Sequence, residues 1–255
     1  MDAGDGQHGS MLLIAGLTLA ALVTAVLSAM AGMGGGMILI GLLYAVGLAP
    51  ALALPLHAGV QLTSNGSRAM AYAPYIRWRA LGLFLVGAVP VPFLVAPWVA
   101  SANPDVLRLI MAVFIALGIW PVWARYLRLH GRAGLLVAGL IAGVMGPLVG
   151  GVGVLVAPFF LRDDWRKNNI IATMAVGQMC AHAVKIVAFS INGFNVFARL
   201  DLLVPMALAA IAGTLIGRRL GGVLSERVFR IVFRSILLAL VAKLAWDGLA
   251  GLGVI

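Results

Sequence analysis

Charged residues are scarce in this 255-residue sequence, and their scarcity excludes a soluble globular fold. Only 10% of the residues are charged, whereas 63% are apolar. Soluble proteins carry about a quarter charged residues. So few polar side chains could not cover the outside of a chain that packed its apolar residues into one interior. Most of the chain is therefore expected to lie in lipid.

Cysteine and the common catalytic motifs are also scarce or missing. The single cysteine, Cys180, allows no internal disulfide. The chain contains no HExxH pattern and no GxxxxGK[ST] pattern, so we predict neither a metal nor a cofactor. Cys180 and His182 are two residues apart on a predicted helix and point to different faces, so they do not form a nucleophile and base pair. We expect no catalytic residue and no enzymatic activity.

Apolar runs recur along the whole chain. A helix needs about 20 residues to cross the hydrocarbon core of a bilayer. Runs of about this length cover 11–31, 51–74, 80–99, 105–124, 168–191, 200–217 and 228–249. Shorter pieces, predicted to be half-helices beside the glycine clusters AGMGGG and GPLVGG, cover 36–49, 133–145 and 151–161. The pattern predicts an all-α polytopic membrane protein with about 8–10 helical segments and Gly-rich helix breaks.

The basic residues indicate how the chain is oriented. Most Lys and Arg residues lie in four connections, around 77–79, 125–132, 162–167 and 218–234, and the positive-inside rule makes these cytoplasmic. The formal charge of +10 therefore reflects loops rather than a nucleic-acid partner. Residues 1–10 carry no Lys or Arg and are predicted to form an outside tail. When the chain is followed from one connection to the next, residues 11–130 start outside and end inside, whereas residues 131–255 start inside and end outside. The two halves therefore have opposite orientations.

The two halves also match in sequence when one is shifted by 117 residues, as from Gln61 to Gln178. The shift also places Gly34 on Gly151, Gly36 on Gly153, Asn65 on His182, and Arg68 on Lys185. In each half the polar residues stand at i, i+4 and i+7, which is one face of a helix. The rest of each half matches only after a gap. We therefore predict two inverted transmembrane repeats, 11–130 and 131–255.

Polar residues and glycine breaks inside the apolar runs form the candidate substrate site. A Lys or Arg at mid-membrane costs about 2.5–3.5 kcal/mol to insert, which favours a functional interpretation. A glycine break before a helix start presents free N–H groups and the positive end of a helix dipole, which favours an anion. The predicted substrate-binding residues are Gly34, Gly35, Gly36, Gln61, Asn65, Arg68, Gly151, Gly153, Gln178, His182 and Lys185. The candidate proton path consists of His57 and His182.

Each of these features also has a purely structural interpretation. Arg68 and Lys185 could lie near helix ends and extend to the lipid headgroups. Gln61 and Gln178 could serve only as hydrogen-bonding groups between helices. The glycines could serve only to let helices pack closely.

The motifs AGMGGGMILIGLL, GVQLTSNGSRAMAY and GVMGPLVGGVGVLVAPFFL resemble those of the TauE/SafE sulfite exporter family, also called the 4-toluene sulfonate uptake permease family. The resemblance covers about residues 11–250. Pro158 matches the family's proline in the second copy, where the first copy has Gly41, and Val152 replaces the middle glycine of the second cluster. The resemblance implies a permease of the bacterial cytoplasmic (inner) membrane for sulfite, sulfonates or related organosulfur anions.

Together these features predict a secondary transporter that holds a small sulfur-containing oxyanion between two repeats and works by alternating access. The expected partners are the anion and the lipid bilayer, with a proton or sodium as candidate coupling ion and a homo-oligomer as one option. Two alternatives stay open. A passive anion channel would share the site, and a thiol-dependent translocator would pass a sulfur compound over Cys180.

Overall fold

The computed structural model describes residues 3–31, 34–119, 131–220 and 226–255. Most of these residues are helical, and they include no strand. The helices are α1 (Ala3–Ala31), α2 (Gly35–Ala45), α3 (Pro50–Ala71), α4 (Trp78–Ala88), α5 (Val91–Ser101), α6 (Pro104–Ile119), α7 (Gly131–Val149), α8 (Gly153–Phe160), α9 (Lys167–Ile191), α10 (Leu200–Arg219) and α11 (Glu226–Gly251). The predicted all-α fold is confirmed.

Several helices are long and apolar enough to cross a membrane, which makes this a multi-pass membrane protein. The described part of the chain contains 5 such stretches: Gly9–Met30, Trp78–Ser101, Gly131–Val149, Lys167–Ile191 and Leu200–Arg219. A shorter apolar helix, Gly35–Ala45, follows the first glycine cluster. The C-terminal part of the predicted run 105–124 and the basic residues of 125–130 lie outside the described residues.

Three segments differ from the lengths that the sequence predicts. Helix α1 begins at Ala3, inside the predicted tail 1–10, because no proline interrupts residues 3–31. Helix α7 reaches Val149 and has 19 residues, so the prediction of a half-helix at 133–145 is wrong. Pro147 removes one backbone donor without ending the helix. The helix ends at Val149, and the next residue, Gly150, has a φ of 77°. The run 80–99 divides into α4 and α5 at Pro90.

The helices of the two halves pack in a reciprocal way. Helix α1 packs along α10, and α4 packs along α7. Helix α3 packs on α9, and α6 on α11. The 117-residue shift and its gap make α1 the counterpart of α7 and α4–α5 the counterpart of α10. Such an exchange of partners is what a two-fold relation between the halves produces, and it supports the predicted repeats; their division at residue 130 stays a prediction.

Some glycines outside the breaks serve close helix packing. A Cβ on Gly139 of α7 would lie 2.0 Å from the backbone oxygen of Phe84 in α4. A Cβ on Gly213 of α10 would lie 2.4 Å from the backbone oxygen of Leu22 in α1. These helices therefore touch backbone to backbone, as small-residue interfaces in membranes do.

Three of the four basic connections meet at one end of the bundle. The Asn169 amide donates to the Tyr75 carbonyl at 2.9 Å, and the Arg77 N–H donates to the Thr173 hydroxyl at 3.0 Å. The loop after α3 is thereby joined to the start of α9. The Arg218 guanidinium, at the end of α10, lies 5.2 Å from the centre of the Tyr72 ring. This common location is what the positive-inside prediction requires of connections that share one side of the membrane.

Candidate functional site

The two glycine breaks touch each other inside the bundle. A Cβ on Gly151 would lie 2.9 Å from both the carbonyl carbon of Gly36 and the nitrogen of Met37. Gly34 and Gly150 have φ values of 98° and 77°, a backbone region that glycine adopts without strain. Glycine is therefore required at these breaks both for the conformation of the chain and for the contact between the halves.

Each break starts a helix whose first N–H groups are free of side-chain caps. Neither α2 nor α8 has a side-chain hydrogen bond at its N-cap, and the first N–H groups of a helix have no acceptor within it. The N–H groups concerned are those of Gly35, Gly36, Gly153 and Val154. The Gly151 N–H donates instead to the Val149 carbonyl at 2.8 Å. Two neighbouring helix starts of this kind favour an anion.

A glutamine side chain covers each helix start. The Gln61 amide nitrogen would lie 3.1 Å from a Cβ on Gly36, and the Gln178 amide nitrogen would lie 3.1 Å from a Cβ on Gly153. Gln61 belongs to α3 and Gln178 to α9. The two glutamine and glycine pairs are related by the shift of 117 residues found in the sequence. These two glutamines, which match in the sequence, therefore occupy equivalent positions in the fold.

These groups enclose a small polar cavity, called the break cavity below. Its volume of about 10 Å³ corresponds to about one water molecule. The predicted residues that line it are Gly34, Gly36, Gln61, Asn65, Arg68, Gly151, Gly153, Gln178 and His182. Three further lining residues, Ser28, Met37 and Val154, were not predicted. Of the remaining predicted residues, Gly35 packs on the Thr24 carbonyl of α1, and Lys185 lines a neighbouring cavity.

Arg68 supplies the positive charge of the break cavity. Its side chain is buried, with 4% of the residue exposed, and its Nη2 donates to the Ser28 hydroxyl at 3.1 Å. Its Nε is buried and has no hydrogen-bond partner within the described residues. A buried guanidinium with an unused donor is costly unless a further acceptor completes it. Burial of this kind is inconsistent with a side chain that extends to the headgroups.

Ser28 is the contact of Arg68 that sequence reasoning missed. It follows Thr24 by four residues, so both lie on one face of α1, and both are buried. A pair of hydroxyl residues at helical spacing in an apolar run, directly before a glycine break, was the signal available. The side-chain amide of Asn65 donates to the Gln61 backbone carbonyl, one turn earlier in α3, at 2.9 Å.

Replacing Ser28 with alanine is expected to weaken anion binding. The half-saturating concentration for anion uptake should rise about tenfold, because a hydrogen bond to a charged group contributes about 1.5–3 kcal/mol. Initial uptake rates in proteoliposomes over a range of sulfite concentrations measure the change. The matched control is Thr24→Val, since the Thr24 hydroxyl donates within its own helix, to Ala20 at 2.7 Å. An unchanged half-saturating concentration in Ser28→Ala would contradict the role given to the Arg68 contact.

Two buried histidines, His57 and His182, lie beside the glycine breaks. The ring centres of His57 and His182 are 5.7 Å apart. His57 Nε2 lies 2.9 Å from the Gly36 carbonyl oxygen, and because a carbonyl can only accept, this nitrogen carries the proton. The Nδ1 atoms of both histidines are buried without a partner among the described residues. The predicted proton path thus has two adjacent imidazoles at the break; its use for coupling stays a prediction.

Lys185 belongs to α9, and its ammonium group lies at the C-terminal end of α7. Only 2% of the residue is exposed, so it does not extend to the headgroups. Its Nζ donates to the Gly150 carbonyl at 3.1 Å and to the Gly146 carbonyl at 3.5 Å. A cation at a helix C-terminus meets the partial negative charge of the free carbonyl groups. Lys185 therefore donates to backbone carbonyls, whereas its sequence counterpart Arg68 donates to the side-chain hydroxyl of Ser28.

The buried interior carries positive charge without a matching carboxylate. Among the described residues, the buried polar and charged side chains include Arg68 and Lys185 but no Asp or Glu. Asp164, by contrast, lies in the exposed loop after α8 and is paired with Arg162. The hydrogen bond from Arg162 lowers the pKa of the Asp164 carboxyl. Buried charges need partners, so the interior is suited to a ligand that brings negative charge.

Cys180 lies away from these polar groups. It is partly buried on α9 and packs beside an apolar cluster formed by Ala69, Leu81, Ala175 and Val176. It lines neither the break cavity nor the cavity of Lys185. A substrate held at the breaks would therefore not touch its thiol.

Fold and site together define a polytopic helical membrane protein with a buried, positively charged site suited to a small anion. The sequence model of the family described as Sulfite exporter TauE/SafE matches residues 17–244. The chain therefore belongs to the TauE/SafE family, as the motifs predicted, and is a membrane transporter of the class that carries sulfite or related anions. No curated protein and no solved structure matches the chain.

Proposed function

We propose that this protein is a secondary transporter that moves a small sulfur-containing oxyanion, sulfite or a sulfonate, across the bacterial inner membrane by alternating access. The observation that carries the proposal is Arg68, a buried guanidinium with an unpartnered Nε in a cavity between two helix starts. An oxyanion placed there would receive hydrogen bonds from N–H groups of α2 and α8, from Gln61 and Gln178, and from Arg68. These donors are numerous enough to replace the water that a small oxyanion loses on binding.

The size of the break cavity supports a carrier. The cavity has room for about one water molecule, so we expect the helix starts to move apart when an oxyanion enters. The contact to be opened is that of Gly36 with Gly151, which lie in different halves of the chain. Movement of one half against the other would open this contact to either side in turn, as in transporters built from inverted repeats.

The topology belongs to the same proposal. The basic connections that meet at the ends of α3, α9 and α10 would face the cytoplasm, because the positive-inside rule favours that side. The N-terminus would then lie outside. His57 and His182 would exchange a proton with the transport cycle, since an imidazole can both accept and donate a proton.

Binding to the purified protein tests the substrate class. Sulfite, sulfate, thiosulfate, taurine and sulfoacetate are compared in thermal-shift experiments, with chloride as the control anion. A ligand at a hundred times its dissociation constant stabilises the protein that binds it by about 2.7 kcal/mol. We expect sulfite or a sulfonate to raise the unfolding temperature by several degrees and chloride to leave it unchanged. Failure of all five sulfur anions to raise it would contradict the proposal.

The thiol-dependent alternative makes a separate prediction. Cys180→Ser is expected to take up sulfite within twofold of the wild-type rate, because Cys180 lines neither polar cavity. Uptake into proteoliposomes measures this, with wild-type protein treated with a thiol-blocking reagent as a parallel test. A loss of uptake in Cys180→Ser, with normal folding, would favour the thiol-dependent translocator.

A further inference from the structure

We propose that the cavity around Lys185 is a second anion station, to which the anion passes from the break cavity. This inference rests on the proposed transport of an anion and adds a second binding site to it. We call this cavity the lysine cavity; helices α4, α5, α7 and α9 and the break before α8 surround it. It lies beside the break cavity and has its own cation.

The two cavities share one wall. Gln178 and His182 line both of them. These residues stand at i and i+4 on α9, and Lys185 follows at i+7, so the three form one row along a single helix face. His182 is buried and its Nδ1 has no partner among the described residues. Polar groups therefore continue from the break cavity, past the shared wall, to the ammonium of Lys185.

The second glycine break lies between the two cavities. Gly151 and Gly153 line the break cavity, whereas Gly150 and Val152 line the lysine cavity. Alternate residues of one short segment thus face opposite sides. A change of conformation in this segment would alter both cavities at once, which is what transfer of an anion from one to the other requires.

Lys185 has the capacity to bind a further ligand. A lysine ammonium has three donors, and the contacts of Nζ are to two neutral carbonyls, at 3.1 and 3.5 Å. The second of these distances is long for a hydrogen bond. The buried side chains in the described part of the chain include no carboxylate. The charge of Lys185 is therefore stabilised by backbone dipoles alone. An anion in the lysine cavity would provide the countercharge.

The lysine cavity leaves a small space beside the Lys185 ammonium, with room for about one water molecule. A Cβ on Gly146 would meet nothing within 4 Å, although Gly146 is itself buried and its carbonyl accepts from Lys185. Phe84 and Pro92 also line this cavity. An anion that reached Lys185 would have left α1, α2 and α3, which surround Arg68, and would lie among helices on the other side of the break.

A transporter with two anion stations and a transporter with one should respond differently to substitutions of Gly146 and Lys185. Binding of ³⁵S-labelled sulfite to the purified protein and uptake of the same probe into proteoliposomes are measured side by side. Gly146→Val fills the lysine cavity and leaves the break cavity intact. Lys185→Met removes the second cation. Both variants are expected to bind sulfite within threefold of the wild-type affinity and to take it up at least tenfold more slowly.

Matched variants separate this effect from a loss of structure. Gly82→Val in α4 adds the same side chain where a Cβ also meets nothing within 4 Å, and it should transport at the wild-type rate. Lys185→Arg restores a cation and should regain a large part of the uptake that Lys185→Met loses.

Three results would overturn one or both proposals. Wild-type uptake by Gly146→Val would remove the second station and leave Lys185 as a structural cap of α7. Equal losses of binding and uptake in Lys185→Met would place Lys185 in a single shared site, which also removes the second station. If the wild-type protein neither binds nor takes up sulfite or a sulfonate, the proposed function itself fails.

Discussion

Replacing Arg68 with methionine is expected to abolish anion transport, with sulfite uptake falling about a hundredfold or more. Removal of one partner from a buried contact between charges costs about 2–5 kcal/mol, and no second cation lines the described part of the break cavity. Binding of the labelled anion should be lost together with uptake, because Arg68 lies where the anion would first be held. Initial uptake rates and equilibrium binding to purified protein measure both effects.

Two further variants make the Arg68 experiment specific. Arg79→Met removes an exposed arginine at the start of α4 and should leave uptake unchanged. Arg68→Lys keeps the charge but loses the planar fork of donors, so it should recover only part of the activity. If Arg68→Met binds and transports sulfite normally while remaining folded, Arg68 has no role in the site.

Replacing Gly151 with alanine is expected to reduce uptake at least tenfold. The added Cβ would lie 2.9 Å from the Gly36 carbonyl carbon and from the Met37 nitrogen, so the two helix starts must move apart. Overpacking of this kind costs about 1–3 kcal/mol, and here it also displaces the N–H groups proposed to hold the anion. Uptake rate and unfolding temperature are both measured.

A matched glycine shows whether the effect comes from the contact between breaks. Gly16→Ala in α1 adds the same methyl group where nothing lies within 4 Å, and both measurements should stay at wild-type values. Wild-type uptake by Gly151→Ala would show that the two helix starts need not touch for transport.

The elements of this site that the sequence predicted are those with a local signal. The glycine clusters marked the breaks before α2 and α8, and the spacing of Gln61, Asn65 and Arg68 marked one helix face. The shift of 117 residues related Gln61 to Gln178, and the structure places both over equivalent glycines. Each of these features depends on the glycine content or the periodicity of a short stretch of the chain, so a single sequence is enough to find it.

Other elements depend on contacts between distant parts of the chain. Ser28 meets Arg68 across 40 positions, and no local pattern links them. Lys185 donates to backbone carbonyls, which every residue possesses, so the sequence could not show which ones it would reach. For the same reason the matched cations Arg68 and Lys185 were assigned to one site, although they line different cavities. The length of α7 was missed because Pro147 lies near a helix end, where loss of one donor is tolerated.

The glycines of this chain serve two different purposes. Gly139 and Gly213 let neighbouring helices touch, which is the structural interpretation considered for all glycines in the sequence. Gly34, Gly36 and Gly153 instead line the break cavity, where N–H groups at helix starts are free for a ligand. A glycine count alone does not separate these purposes, whereas position relative to a helix start does.

Counterflow is the measurement that shows whether an oxyanion is carried by alternating access. Proteoliposomes containing the wild-type protein are loaded with unlabelled sulfite and diluted into a trace of ³⁵S-labelled sulfite. We expect transient accumulation of label above its equilibrium level, with rates that saturate as the sulfite concentration is raised, and no accumulation in Arg68→Met. Uptake that neither saturates nor shows counterflow would rule out alternating access and identify a passive anion channel.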